Sequence, residues 1–389
     1  MQNQSLPLLF TPISFRALTL RNRIMLAPMN QHRARDGMAD DGLLVHLGKF
    51  GLGGFGIVTT EATAVDPAGR IAYGDLGIWS DRHVDGLRRV TAFLRSAGAA
   101  SAMQLNHSGR KGSSQRPWGG FGPLDADDVS AGEPPWPLVS PTTEALGEGH
   151  VVPEALDIAG IRIIVQRFAE AAARADAAGF DIVELHGGHG YLIASFLSPM
   201  INTRNDGYGG DLSGRIRFAA EVTQAVRERW PSNKPLFFRI SSIDGHPSGW
   251  QVEDSVILAR VLKEKGVDLI DCSSGGLRQS TALENAHRQP GYQVTYSDRI
   301  RREAPVATGA VGLILDADHA ERILQDGQAD IVILGRQALY DPYWPLHAAQ
   351  SFGTDQAFER WDKSAGWWLA RRAPGLEAVG LNGAGKPLS

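Results

Sequence analysis

The sequence predicts an α/β fold, a (β/α)8 TIM barrel with a long loop excursion after the third strand and a C-terminal tail. Apolar, β-branched runs recur eight times along the chain, as is typical of strands buried on both faces of a parallel sheet. Segments with helical periodicity separate them, as at 162–178 and 254–265. No GxGxxG fingerprint follows the first strand. These observations favour a closed barrel over a doubly wound open sheet.

The predicted strands cover residues 23–29, 56–65, 100–105, 180–186, 235–241, 268–272, 305–309 and 330–335. Gly179 and Gly266 follow two helical segments at positions suited to C-caps, each just before the next strand. The stretch GLGGFG at 51–56 precedes a strand instead of following one. It therefore indicates a helix-to-strand turn and not a phosphate-binding loop.

We expect the 389 residues to form one barrel domain over 1–389, with the barrel itself at about 9–350. Residues 111–153, rich in Pro, Gly, Asp and Trp, are predicted to be an inserted loop. Long loops in compact domains are usually functional covers. Residues 352–389 are predicted to be a C-terminal extension.

Composition excludes several classes of protein. Hydrophobic residues make up 43% and charged residues 21% of the chain, which is ordinary for a soluble globular protein. Lys and Arg number 39 against 43 Asp and Glu, a net charge of −4, so no nucleic-acid partner is expected. No run of 18 apolar residues occurs and no secretory signal opens the chain, so no membrane partner and a cytoplasmic location are expected. The lone Cys272 excludes an internal disulfide and a cysteine metal cluster, and its strand-end setting favours a small buried residue over a nucleophile.

Chemistry in a barrel lies on the loops after the strand C-termini. Strand seven ends in Thr-Gly-Ala-Val-Gly at 308–312, and strand eight ends in Gly335-Arg336. Glycines let backbone N–H groups approach an anion, and arginine adds a fixed cation. The pattern favours a phosphorylated ligand or cofactor, with plain turn glycines and a surface arginine as the alternative.

Strand four ends in His186, His189 and Tyr191, with glycines between them. Two histidines are a partial metal-ligand set, but no third ligand is evident. They could also be buried structural residues, or paired donors that grip one substrate oxygen and stabilise developing charge. Tyr191 could deliver a proton to a carbanion-like centre or serve only in packing. The serine-hydrolase, zinc-protease and P-loop motifs are absent from the sequence.

These residues closely resemble the Old Yellow Enzyme family of FMN-dependent ene-reductases, nearest to its bacterial, thermophilic-like branch. The resemblance covers roughly residues 9–345. The matching stretches include LRNRIMLAPM at 20–29, QLNHSGRK at 104–111, FDIVELHGGHGYLIASFLSP at 180–199, ATGAVG at 307–312 and ILGRQAL at 333–339.

The resemblance implies a tightly bound FMN, with NADPH or NADH as hydride donor. It places the end of strand one beside the flavin ring, Ala62 and Gln104 in hydrogen-bonding positions, and Arg239 at the N1–C2=O edge. It assigns Gly309, Gly335 and Arg336 to the FMN phosphate. The strand-one residues are Ala27, Pro28, Met29 and Asn30.

The implied activity is reduction of activated C=C bonds in α,β-unsaturated carbonyl or nitro compounds, with hydride passing from NAD(P)H through flavin N5 to the β-carbon. His186 and His189 would hold the substrate oxygen, and Tyr191 would protonate the α-carbon. A desaturase or specialised pathway reductase on the same fold is the alternative, and a metal-assisted hydrolase or lyase is a remote one. The expected partners are a small-molecule substrate and further copies of the chain, as a dimer or tetramer.

Three positions depart from the family pattern. Asn30 stands where Cys or Thr is usual, His32 stands where a substrate-facing Tyr is usual, and Asn106 stands where a small residue is common. The tail also lacks the branch's usual short ending. The first two departures bear on redox tuning and substrate preference, and His32 remains a candidate substrate-binding residue.

Overall fold

The computed structural model describes residues 6–277 and 288–381. Eight parallel strands, β1 to β8, form the barrel within these ranges: Ile24–Leu26, Ile57–Thr59, Ala100–Asn106, Ile182–Gly187, Leu236–Ser241, Leu269–Ser273, Ala307–Ala310 and Ile331–Leu334. Each pairs with its neighbour in chain order. Pairing of β8 with β1, with Val332 opposite Ile24, closes the barrel. Every predicted strand is confirmed, although β1, β2, β7 and β8 are shorter than predicted.

A helix follows each strand on the outside of the barrel. These helices, α1 to α8, are Asp41–Leu52, Val84–Ser96, Ile158–Ala177, Leu212–Arg229, Val252–Glu264, Val294–Glu303, Ala317–Gln325 and Trp344–Ser351. Aspartates cap several of their N-termini, as where Asp157 accepts from Gly160 N at 2.7 Å and Asp211 accepts from Gly214 N at 2.9 Å. The predicted glycine stops are confirmed: Gly179 and Gly266 have φ of +84° and +93°, just beyond α3 and α5.

The amino-terminal end of the barrel is apolar. An antiparallel hairpin of Ile13–Phe15 and Leu18–Leu20 lies there, and Phe15 packs edge-on against Phe237 with ring centroids 5.2 Å apart. The interior residues that it joins are Met25, Ile57, Ala102, Ile182, Leu269 and Ile331. With this end filled by side chains, polar chemistry is confined to the opposite, carboxyl end of the strands.

The excursion after β3 has little regular structure, as predicted. It contains the short helix Ala126–Ser130, and the two-residue strand Val139–Ser140 pairs with Glu154–Ala155. In the C-terminal extension, Lys363–Glu377 forms a helix capped by Asp362. Residues 382–389 of the extension lie outside the described residues. Within the two described ranges, no helix combines the length and apolar character needed to cross a membrane.

Candidate active site

A cavity of about 470 Å³ opens at the carboxyl end of the barrel. Its walls come from the loop after β1, the strand ends of β5 and β6, and the loops after β7 and β8. The volume falls within the usual range for a small-molecule or cofactor site. The cavity therefore lies where barrel enzymes place their ligands.

One end of this cavity is suited to an anion. Gly312 has a φ of +118°, a conformation that favours glycine, and a Cβ there would lie 2.8 Å from the Gln293 side chain. Gly335 and the cations Arg288 and Arg336 also line the cavity. Gly309, predicted at the same place, is buried inside β7, where a Cβ would lie 2.6 Å from Ile333. The glycine that meets the cavity is thus Gly312, three residues further on.

The loop after β1 forms the facing wall. Ala27, Pro28 and Met29 line the cavity, and Ala27 N donates to Leu334 O at 2.9 Å. The Asn30 amide nitrogen is buried and has no hydrogen-bond partner among the residues that the structure describes. Because buried polar groups are nearly always satisfied, this nitrogen is available to donate to a group bound beside the loop.

Below the cavity lie further predicted residues. Gln104 Nε2 donates to Glu184 Oε1 at 2.8 Å, and Arg239 Nε lies 3.1 Å from Asp271 Oδ2. Arg239 also lines the cavity, so its charge faces both the carboxylate and any bound ligand. Ala62 is buried after β2.

His186 and His189 contact each other. His189 Nδ1 lies 3.3 Å from His186 Nε2, and His189 Nε2 lies 2.7 Å from Ser273 Oγ. Burial lowers the pKa of both imidazoles well below the ordinary value, with the neighbouring cations Arg239 and Lys111 adding to the effect. Both rings are therefore neutral at physiological pH.

Tyr191 completes this group at the start of the short helix Leu192–Leu197. Its ring centroid lies 5.0 Å from that of His186, and Lys111 Nζ lies 5.4 Å from the ring. Burial raises the pKa of the Tyr191 phenol above its ordinary value, so the hydroxyl keeps its proton. Lys111 donates to His189 O at 3.0 Å and to Gly276 O at 2.7 Å, which ties the loops after β4 and β6 together.

His32 is buried beside this region and is held by a carboxylate. Its Nδ1 lies 2.6 Å from Asp75 Oδ1, and its ring meets Trp118 edge-on at 5.9 Å. It does not line the main cavity among the described residues. Asp75 also accepts from Ile71 N at 2.6 Å, so the imidazole is linked through Asp75 to the backbone at residue 71.

Five residues of the site were not predicted from the sequence: Glu184, Asp271, Ser273, Asp75 and Lys111. A signal existed for three of them: Glu184 stands two residues before His186, and Asp271 stands two before Ser273, each inside an apolar strand. Side chains two residues apart in a strand point to the same face of the sheet. Cys272 lies between Asp271 and Ser273 and points to the opposite face of the strand. Burial raises the pKa of its thiol well above the ordinary value. This agrees with the prediction of a small buried strand residue and not a nucleophile. No group of three His, Cys, Asp or Glu side chains suited to a metal ion occurs within 6–277 and 288–381.

Comparisons with known proteins identify the family. The family model described as NADH:flavin oxidoreductase / NADH oxidase matches residues 8–355. An NADPH dehydrogenase of Geobacillus sp. (strain WCH70) is 43% identical over 349 residues, which are 89% of this chain and 95% of the relative. Morphinone reductase is 25% identical with a TM-score of 0.72, over 89% of this chain and 90% of that one. Its complex with tetrahydroNAD is 26% identical with a TM-score of 0.69, over 90% and 91%. The chain belongs to the Old Yellow Enzyme family and is a flavin-dependent oxidoreductase that uses FMN with NAD(P)H.

Proposed function

We propose that this enzyme reduces activated C=C bonds of α,β-unsaturated carbonyl or nitro compounds. The observation that carries the proposal is the grouping of two neutral histidines and one protonated tyrosine at the end of β4. Neutral imidazoles can donate N–H bonds to a carbonyl or nitro oxygen, and a phenol can supply a proton. These are the two functions that reduction of a polarised alkene requires from the protein.

The cavity fits FMN by the residues that line it. Gly312, Gly335, Arg288 and Arg336 would hold the phosphate, where backbone N–H groups and guanidinium groups meet. The unpartnered amide nitrogen of Asn30 would donate to the isoalloxazine ring, with Ala27, Pro28 and Met29 beside it.

Three further residues complete the ring site in this proposal. Ala62 and Gln104 would hydrogen-bond the isoalloxazine, and Arg239 would lie at its N1–C2=O edge. Gly309 would act indirectly, by allowing β7 and β8 to pack closely beneath the phosphate loop. FMN supplies the hydride-accepting and hydride-donating chemistry at N5.

The neighbours of the two histidines allow both ring protons to face a substrate oxygen bound between the rings. Gly188 N donates to His186 Nδ1 at 3.4 Å, which leaves the His186 proton on Nε2. When Ser273 donates to His189 Nε2, the His189 proton lies on Nδ1. The two N–H groups then converge, and a substrate oxygen that enters between them accepts both. Such paired donors stabilise the negative charge that develops on the oxygen as hydride arrives at the β-carbon.

Tyr191 delivers the proton to the α-carbon. Its raised pKa would keep it protonated until the carbon becomes basic. Its contact with His186 supports a position next to the substrate that the histidines would hold. His32, fixed by Asp75, would set the shape of the substrate site from the β1 side.

Stopped-flow spectroscopy under anaerobic conditions tests the proposal. The FMN band should bleach with NADPH and recover when cyclohexenone or a maleimide is added. In His186→Ala the bleaching should proceed normally, whereas recovery should slow by about 10²–10³-fold, as for the loss of one oxyanion donor. Recovery with oxygen or quinones but with none of the activated alkenes would contradict the proposal.

A further inference from the structure

Four polar side chains form one layer inside the barrel, directly below the cavity. They are Gln104 on β3, Glu184 on β4, Arg239 on β5 and Asp271 on β6. Each stands two residues after a member of the apolar interior, so each points inward by the period of a strand. Gln104 pairs with Glu184 in register, and Arg239 pairs with Asp271. We call Glu184 and Asp271 the carboxyl pair.

The carboxyl pair is incompletely satisfied. Glu184 and Asp271 are both 0% exposed, and Arg239 is 8% exposed. Glu184 Oε2 and both Asp271 oxygens are buried without a hydrogen bond among the described residues, although Arg239 Nε lies 3.1 Å from Asp271 Oδ2. One buried guanidinium cannot neutralise two buried carboxylates, and an uncompensated buried charge is strongly unfavourable. The layer is therefore electrically neutral when the pair carries one proton.

The residues around the carboxyl pair add no further negative charge to the layer. Burial raises the pKa of Glu184 to about 8, with the Asp271 charge adding to the rise and Arg239 and Gln104 opposing it. Burial likewise raises the pKa of Asp271, and Arg239 opposes that rise. Among the described residues, the charged groups that act on the pair are its own two carboxyls and Arg239. Cys272 is next to Asp271, and His186, His189 and Lys111 lie beyond Arg239. Burial lowers the pKa of Lys111 to about 8, so its titration adds to proton uptake only above pH 7. The histidines are neutral, and burial keeps the Cys272 thiol protonated.

We propose that the carboxyl pair takes up one proton from solvent when the bound FMN is reduced by two electrons. The inference rests on the proposed position of Arg239 at the N1–C2=O edge of the flavin, and not on the alkene substrate. In the oxidised enzyme, Arg239 is balanced by one carboxylate of the pair. On reduction, two electrons and one proton enter the flavin, which then carries one negative charge beside Arg239. A second proton, from water, binds the remaining carboxylate.

The charge balance explains the direction of proton transfer. A reduced flavin anion competes with the carboxylate for the same guanidinium, and a carboxylate that loses its cation binds a proton more tightly. The layer and flavin together are neutral before and after reduction. Arg239 reaches both the cavity and Asp271, so it is the group that couples the two events.

Potentiometric titration of the holoenzyme between pH 6 and 10 tests this inference. Because the slope of potential against pH reports protons bound per electron, the wild type should take up about two protons per two electrons at about pH 6–7, where the oxidised pair still carries its one proton. The isosteric double variant Glu184→Gln/Asp271→Asn should take up about one. Glu321→Gln, a buried carboxyl that holds the amides of Leu8 and Leu9 on the outside of the barrel, is the matched control and should behave as wild type.

A second measurement needs no variant. The reduced-minus-oxidised infrared spectrum of the wild type should show a protonated-carboxyl band that grows on reduction and shifts in D₂O. Equal proton uptake in the wild type and the double variant, or no growing carboxyl band, would overturn the inference. The variant Arg239→Gln tests the assumed position of Arg239 separately. An unchanged flavin potential in that variant would show that Arg239 does not lie beside the flavin. If alkenes fail to reoxidise the enzyme, only the proposed substrate class is contradicted, and the inference about the carboxyl pair is not.

Discussion

In the proposed mechanism, Tyr191 acts in only one half of the catalytic cycle. Its ring packs beside His186, and burial raises its pKa. We expect Tyr191→Phe to slow reoxidation by enones at least tenfold while reduction by NAD(P)H stays unchanged, because only alkene reduction needs its proton. Nitroalkenes should be affected less, since their anions can be protonated in solution. Single-turnover kinetics of each half-reaction provide the measurement, and equal losses in both would contradict the assignment.

Ser273 Oγ lies 2.7 Å from His189 Nε2, and in the proposed tautomer it donates there and so keeps the His189 proton on Nδ1. Ser273→Ala should weaken the binding of phenolic ligands about fivefold, because loss of one ordinary hydrogen bond costs about 1 kcal/mol. Reduction by NAD(P)H should stay the same. Ser242→Ala is the control, since the Ser242 hydroxyl is buried without a partner in the described ranges. Ligand titration of the flavin spectrum measures both variants, and equal affinities would show that Ser273 has no such effect.

In the proposed FMN site, Asn30 would donate from its unpartnered amide nitrogen to the flavin. A donor to the electron-rich reduced ring raises the potential, and a hydrogen bond to a charged group is worth about 1.5–3 kcal/mol. About 1.4 kcal/mol corresponds to about 30 mV for a two-electron couple. We therefore expect Asn30→Cys to lower the midpoint potential by about 30–60 mV with FMN still bound. A spectroelectrochemical titration with no shift, or an upward one, would reject this role.

At the scale of elements, the order of strands and helices was predictable because each type of element is marked by the spacing of apolar residues within a short stretch of sequence. The buried strands read as continuous apolar runs, and Gly179 and Gly266 mark the helix ends. Partners across the barrel were not predictable. His32 meets Asp75, 43 residues away, and His189 meets Ser273, 84 residues away. Such contacts depend on strand order and register, which no local pattern of residue types specifies.

The C-terminal extension combines a docked start with an exposed helix. Trp361 stacks on Tyr343 with ring centroids 5.4 Å apart, whereas Trp367 and Trp368 in Lys363–Glu377 are 48% and 67% exposed. We expect Trp361→Ala to lower the melting temperature by several degrees, because it removes a packed aromatic side chain.

We expect the exposed helix Lys363–Glu377 to contribute to oligomer formation. Aromatic residues are enriched at interfaces, and we propose that the helix contacts another copy of the chain. Trp367→Ser/Trp368→Ser should lower the oligomer mass in analytical ultracentrifugation and leave the melting temperature of the dissociated chain unchanged. An unchanged mass would mean that the helix serves its own barrel alone.

At the scale of the whole molecule, buried carboxyls make stability depend on pH. Burial raises the pKa of Glu61 from 4.5 to about 8, with the amides of Gln31 and His32 opposing the rise. The folded state then keeps a proton that the unfolded state has lost, so this stability is present below pH 4.5 and is lost as pH rises toward 8.

The variant Glu61→Gln should not lose stability in this way as the pH rises. We expect the variant to melt several degrees above the wild type at pH 9, a gain on the order of 2–4 kcal/mol, and near the wild type at pH 5. Thermal unfolding of the apoprotein at the two pH values measures the difference. The exposed Glu228→Gln should show no such pH dependence, and an equal effect of Glu61→Gln at both values would contradict the prediction.

The cavity lies across the seam where the first strand of the barrel meets the last. Ala27 N donates to Leu334 O at this seam, and the cavity is lined by residues 27–29 on one side and 333–337 on the other. A growing polypeptide that has emerged from the ribosome only as far as β7 lacks half of this wall. In the proposed site, FMN would contact both the first and the last strand of the barrel. Its binding would then follow synthesis of nearly the whole barrel and would hold these two strands together without a covalent bond.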